Sequence, residues 1–201
     1  RGGRITQGRC IHGPTGAHWA AAGTPAKAPL GRGLSLVFQD PLSSLNPSMR
    51  VGWQVAEPAL VHLQCSTSEA RTLATALLKE VELPDPEAAF DKYPHEMSGG
   101  QKQRGMIALA LAAAPEVLIA DEPTTALDAT VQKSVLALLK KVQDQRQMGV
   151  IFVTHDLDVV HAIADRVLVM QHGRIVESGE VNAVLEQPAH PYTQALLRAR
   201  D

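Results

Sequence analysis

The sequence predicts an α/β fold, a mostly parallel sheet flanked by helices with a helical lobe inserted into it. Three observations carry that prediction. Val117-Leu118-Ile119-Ala120 is a short apolar run that exits into Asp121-Glu122-Pro123, and Val150 to Val153 is a second that exits into Thr154-His155-Asp156. Between them Val131, Val135, Leu138, Leu139 and Val142 recur at helical spacing, so strand, helix and strand alternate as a parallel sheet requires. Upstream, Ser98-Gly99-Gly100-Gln101 precedes apolar and small residues from Met106 to Ala114, which read as a helix with glycines at its N-terminal end.

The strand exits carry the chemistry. Four apolar residues bounded by turn signals suit a buried parallel strand, and ligands of open α/β sheets bind at the carboxyl ends of such strands. At the first exit, one carboxylate, Asp121, can hold a magnesium ion through water, and its neighbour, Glu122, can orient an attacking water. The glycines before the helix leave backbone amides uncovered where the helix dipole is positive, which favours an anion. Taken alone, Ser98 to Gln101 reads equally as an ordinary loop and helix start, Gln39 as a polar strand exit, and His155 as a structural histidine.

A chain of 201 residues fits one domain, or one domain of two lobes, and is long enough to bury a core. With 45% hydrophobic and 20% charged residues it is globular in composition, and a net charge of -2 gives no electrostatic case for a nucleic-acid partner. Cys10 and Cys65 are the only cysteines and lack any metal-type or disulfide spacing, which favours a reducing compartment. No run approaches the roughly 20 apolar residues needed to span a bilayer, and the start lacks a signal pattern.

Taken in order, the chain begins with eight of its fifteen glycines in the first 33 residues, a segment expected to be irregular. Only Gly3 to Ile11 suits a strand there. Leu34 to Phe38 is an apolar strand ending at Gln39, followed by the turn-rich stretch Pro41 to Pro47. Val51 to Tyr93 is expected to be helical, broken at Pro58 and again at Pro84 and Pro86. Within it Ser66 and Glu69 form a capping box before a helix that turns Leu73, Leu77, Leu78 and Val81 to one face. Trp53, Phe90 and Tyr93 are packing aromatics, and His62 and His95 are surface residues. After His155 a helix over Leu157 to Ala164 leads to a hairpin, Arg166 to Met170 with Arg174 to Glu177, turned at Gln171-His172-Gly173. Glu180 to Glu186 is a short helix, and Pro188 to Leu197 forms a proline-rich tail.

Together these motifs resemble the ATP-binding subunit of an ABC transporter, whose fold is of the P-loop NTPase type. Ser98-Gly99-Gly100-Gln101 is similar to the family's signature motif, with Met97 in place of the usual leucine. Leu118 to Glu122 resembles its Walker B strand, Ala126-Leu127-Asp128 its D-loop, Gln39 its Q-loop and His155 its H-loop. The tail resembles that of the oligopeptide, dipeptide and nickel importing branch. No G-x-x-x-x-G-K-[ST] loop occurs, because the only Lys followed by Ser or Thr is Lys133-Ser134, in a helical context. The expectation is therefore a cassette lacking its N-terminal P-loop unit through truncation.

The resemblance implies ATP and Mg²⁺ as cofactors, and it implies roles for the residues. Glu122 polarises the hydrolytic water, His155 and Gln39 position the γ-phosphate and the metal, and Asp121 holds the metal through water. Ser98, Gly99, Gly100 and Gln101 serve the nucleotide of a second ATP-binding subunit, and Asp128 bridges the two subunits. Further implied partners are transmembrane permease subunits and, indirectly, a solute-binding protein, with the chain at the cytoplasmic face of the membrane. The expected organisation is a remnant of antiparallel strands over 1–33, the ATPase domain over 34–185 with its helical lobe at about 42–110, and the importer-type tail over 186–201. Two other readings stay open: a catalytically inactive cassette that only binds a partner, and a soluble ABC ATPase of DNA repair or translation.

Overall fold

The structure is a computed structural model that describes residues 9–11, 18–21, 33–40, 44–125 and 127–199. The expected strand residues 3–8, much of the stretch 12–29, Pro41 to Ser43 and Ala126 lie outside the described residues.

Three strands form the parallel sheet in the order β3-β4-β5: β3 (Leu34–Val37), β4 (Val117–Asp121) and β5 (Gly149–Val153). Their register is continuous, Val37 lying beside Ala120 and Ala120 beside Phe152. The face bearing Ser35, Val37, Leu118 and Ala120 is buried. The other face opens toward β5, where Ile151 is 54% and Val153 46% exposed. Two antiparallel hairpins accompany the sheet: β1 (Arg9–Ile11) with β2 (His18–Ala21), and β6 (Arg166–Gln171) with β7 (Arg174–Glu180). Strands β1 and β2 lie within the stretch 1–33 expected to hold antiparallel strands, partly irregular. Their pairing supplies an order that no local periodicity announces. The second hairpin turns on His172 at φ 49° and Gly173 at φ 75°, the two positive φ values that match the twist of the strands.

Between β3 and β4 run α1 (Val51–His62), α2 (Thr67–Glu80), α3 (Pro86–Asp91), a 3₁₀ turn (Pro94–Glu96) and α4 (Gly99–Leu111). The expected capping box forms, with the Ser66 hydroxyl accepting from the Glu69 amide and Glu69 accepting from the Ser66 amide. The expected break at Pro58 does not occur, and α1 passes through it. Losing one helical hydrogen bond to proline costs about 3 kcal/mol. Val55, Ala56 and Ala59 on either side are fully buried, and that packing holds the helix together. Phe90 is fully buried with Trp53 edge-on at 5.2 Å and the Arg71 guanidinium 4.2 Å from its ring, so the lobe has an aromatic centre as expected.

Helix α5 (Ala129–Arg146) links β4 to β5 and buries Val135, Leu138, Leu139 and Val142 in the core shared by lobe and sheet. Its outer end is tied to the lobe by Arg146, which meets both oxygens of Glu80 at 2.8 and 2.6 Å, and by Lys141 on Glu82 at 2.8 Å. Helices α6 (Leu157–Ile163), α7 (Val181–Glu186) and α8 (Pro191–Arg198) complete the chain. The Glu177 carboxylate on β7 accepts from the amides of Ala189 and His190 and so fastens the tail to the hairpin.

Candidate active site at the strand ends

Parallel register builds the site. Since Val37 lies beside Ala120 and Asp121 beside Val153, the residues that leave the three strands emerge side by side: Gln39, Glu122 and His155. The Glu122 amide donates to the Val153 carbonyl at 2.9 Å, which carries the pairing one residue beyond β4. At that point the backbone of Glu122 turns left-handed, φ 43°, a conformation that costs a non-glycine residue of the order of 1 kcal/mol and redirects its side chain.

The carboxylate is held from three directions. Gln39 Nε2 donates to Oε2 at 2.8 Å, the Thr125 hydroxyl donates to the same oxygen at 3.0 Å, and His155 Nδ1 lies 3.0 Å from Oε1. The His155 ring and then the Thr125 hydroxyl hold the Glu122 carboxyl below its ordinary range, against a smaller opposing effect of burial. Glu122 is therefore ionised at neutral pH. Three of the site residues expected from the sequence, Gln39, Glu122 and His155, are brought together. Thr125 was legible only as part of a turn, and nothing in its type or position marks it out.

Two more links set the turns that carry this group. Gln132, in the first turn of α5, reaches Asp156 Oδ2 at 3.3 Å and the Thr124 hydroxyl at 3.5 Å, joining the turns after β4 and β5. Asp156 in turn caps α6 through the amides of Asp158 and Val159. Asp121 is exposed at the end of β4, beside Glu122. Magnesium takes hard oxygen donors and keeps several waters. The Asp121 carboxylate and the Gln39 amide oxygen, left over when Nε2 turns to Glu122, are donors of that kind, so these residues fit the ion. Among the described residues no group of three or more His, Cys, Asp or Glu side chains forms a closed metal cage.

The glycine motif is a separate surface. Ser98 caps α4 by accepting from the Gln101 amide at 3.3 Å while Gln101 Oε1 accepts from the Ser98 amide at 3.0 Å. That box uses two of the amides at the helix start, and the remaining two, Gly99 and Gly100, are the ones available to an anion. The two glycines differ in what they need. A Cβ on Gly100 would stand 2.7 Å from Val131 Cγ1, so α5 packs directly against it, whereas a Cβ on Gly99 would meet only Leu127 Cδ2 at 3.8 Å. Asp128 caps α5, its Oδ1 accepting from the amides of Thr130 and Val131. Both predicted motifs are thus anchored to α5, the helix whose first turn also reaches the strand-end site through Gln132.

Comparison with known proteins bears on the family and the fold. The family model described as ABC transporter matches residues 6–125, more than half of the chain. The glutathione import ATP-binding protein GsiA of Salmonella typhimurium is 51% identical over 169 residues, which is 84% of this chain and 27% of that protein. Its counterpart in Escherichia coli K12 is 50% identical over the same length. The chain thus spans about a quarter of the length of these relatives. Among solved structures, the dimeric post-hydrolysis ATP-binding cassette MJ0796 with ADP and Pi superposes with a TM-score of 0.65 at 31% identity, covering 75% of this chain and 63% of that one. CbiO1 of Clostridium perfringens, part of an ABC transporter complex, gives 0.68 at 35% identity, covering 77% and 59%. Both solved structures are ABC ATPase cassettes, which makes the fold one of the P-loop NTPase type, and the chain belongs to the ABC transporter family.

Proposed function

We propose that this chain is the nucleotide-binding part of an importer and couples ATP binding and hydrolysis to the passage of peptides or similar solutes through an ABC transporter. The observation that carries the reading is the Glu122 carboxylate, fixed between Gln39 and His155 at the carboxyl end of a parallel sheet. Identity of 51% to a glutathione import protein supports an importer of small peptide-like solutes.

In this reading Glu122 accepts a hydrogen bond from the water that attacks the γ-phosphorus in line. A carboxylate with a lowered pKa is a weak proton sink, so its work is to orient and polarise that water. His155 would stay against Glu122 through Nδ1 and meet a γ-phosphate oxygen through Nε2. Asp121 and Gln39 would hold Mg²⁺, which supplies charge neutralisation at the phosphates. Ser98, Gly99, Gly100 and Gln101 would meet the nucleotide of a second ATP-binding subunit, and Asp128 would lie at the seam. Permease subunits and a solute-binding protein complete the proposed assembly, with this chain at the cytoplasmic face of the membrane. Among the described residues no helix is long and apolar enough to cross a membrane.

The test is ATP turnover with the chain joined to an upstream segment that bears a P-loop. Glu122→Gln should lower kcat by about a hundredfold or more while nucleotide affinity stays within about twofold, because the interaction is made in the transition state. Equal loss of affinity and turnover would assign Glu122 a structural role. The 201-residue chain by itself should show no turnover, since it has no lysine and amide nest to cradle the β- and γ-phosphates.

A further inference from the structure

We propose that Thr125 is a positioning residue for the hydrolytic step: its hydroxyl fixes the rotation of the Glu122 carboxylate so that Oε1 alone is presented to the attacking water. The inference rests on the proposed role of Glu122 and adds a residue to it.

A glutamate side chain has three rotatable bonds, and its last torsion is broad. A general base that must aim one oxygen at one water needs that torsion fixed. The two oxygens of Glu122 are unequally engaged. Oε2 accepts from both Gln39 Nε2 at 2.8 Å and Thr125 Oγ1 at 3.0 Å, while among the described residues Oε1 is approached by His155 alone. Each carboxylate oxygen offers about two lone-pair sites. Oε2 is therefore saturated, and Oε1 keeps one site beyond His155. The water that Glu122 polarises has to meet Oε1.

Of the three groups around the carboxylate, Thr125 is the one tied to the same turn. Its amide donates to the Glu122 carbonyl at 3.3 Å, closing the turn that follows the left-handed residue, and a β-branched side chain has few χ1 choices. Gln39 and His155 arrive from the ends of other strands on longer or freer side chains, and both are given further partners in the proposed reaction. In that reaction Gln39 Nε2 and His155 Nδ1 stay on Glu122 while the Gln39 amide oxygen and His155 Nε2 meet metal and phosphate, so the Thr125 hydroxyl is the contact that carries no second task. Gln132 supports the same turn one residue earlier through Thr124.

The experiment has one arm in the chain as it stands and one in the chain joined to an upstream segment that bears a P-loop. In the chain alone, the side-chain amide resonances of Gln39 report its bond to Glu122, and Glu122→Ala gives the unbonded reference. Thr125→Val removes the hydroxyl at nearly constant shape and should move those resonances toward the reference, while Thr125→Ser should leave them in place. In the joined chain, Thr125→Val should lower kcat roughly ten- to hundredfold, the range for one hydrogen bond to a charged group, with KM unchanged and with Thr125→Ser restoring most of the rate. The proposal is overturned if Thr125→Val leaves both the resonances and kcat unchanged. It is overturned equally if kcat, KM and melting temperature fall together with no rescue by serine, since that pattern marks a structural turn residue. If Glu122→Gln itself leaves turnover intact, the assigned role of Glu122 fails, while the resonance arm still decides whether Thr125 orients its carboxylate.

Discussion

At the scale of single residues, glycine is where packing and chemistry are most easily confused. Gly52 lies inside α1, where alanine would ordinarily be better by about 1 kcal/mol. A Cβ there would overlap the ring of Phe90, which is fully buried and gripped by Trp53 and Arg71. Overpacking costs typically 1–3 kcal/mol, so the clash outweighs the propensity gain. Gly52→Ala should destabilise the chain by about 1–2 kcal/mol in urea unfolding, and adding Phe90→Leu should recover part of that loss. Strict additivity of the two changes would show that the ring does not set the requirement. The same comparison separates the two motif glycines. Gly100 is demanded by Val131 on α5, and packing makes no such demand at Gly99. Their adjacency in the sequence gave no sign of that division, because the partner that decides it lies on another helix.

Among the elements, what could be read in advance was what is local. The Ser66 and Glu69 capping box, the buried stripe of α5 and the turn at His172-Gly173 each follow from a few neighbouring residues, and each is present. Passage of α1 through Pro58 depends on the packing around Val55, Ala56 and Ala59 by partners distant in sequence, and there the sequence pointed the other way. The ion pairs that fasten α5 to the lobe are of the same long-range kind. Glu82 stands at φ 57° just past the end of α2, and its carboxyl is held below its ordinary value of 4.5 by Lys141 and then by Arg104. A carboxyl lowered in the folded state stabilises it above the unfolded pKa, and that contribution fades as pH falls through the folded value. Glu82→Gln should therefore cost up to about 1 kcal/mol near pH 7, the upper end for exposed pairs, and almost nothing at an acid pH below its lowered folded pKa. Chemical denaturation at the two pH values tests this, and an equal loss at both would mean that packing of the side chain, not its charge, matters.

The molecule as a whole presents two candidate functional groups of residues, one at the strand ends and one at the start of α4. The carboxylate site is assembled by parallel register, which is why Gln39, Glu122 and His155 could each be suspected from a strand exit and still be shown to meet only by the pairing of β3, β4 and β5. The Ser98 to Gln101 motif stands elsewhere, at the start of α4, and its cap is closed by its own side chains without help from the strand ends. The amides of Gly99 and Gly100 can thus close on a phosphate that another subunit already holds, whatever phosphate cradle this chain itself possesses. The 201-residue chain should accordingly act in trans. Mixed with a full-length cassette whose own signature serine has been changed to arginine, it should restore part of the ATPase activity by completing one of two composite sites. The rescue should vanish with Gly99→Asp in this chain. A Cβ there would be in ordinary contact with Leu127 Cδ2 at 3.8 Å, so the change acts chiefly by adding negative charge where the phosphate would sit. Gly100→Ala should weaken the rescue for a different reason, by pushing α5 away at Val131, and should lower stability as Gly99→Asp does not. If the two chains associate in sedimentation or cross-linking and no activity returns, the motif does not serve a partner's nucleotide, and only Gly100 is accounted for, by the packing of α4 on α5.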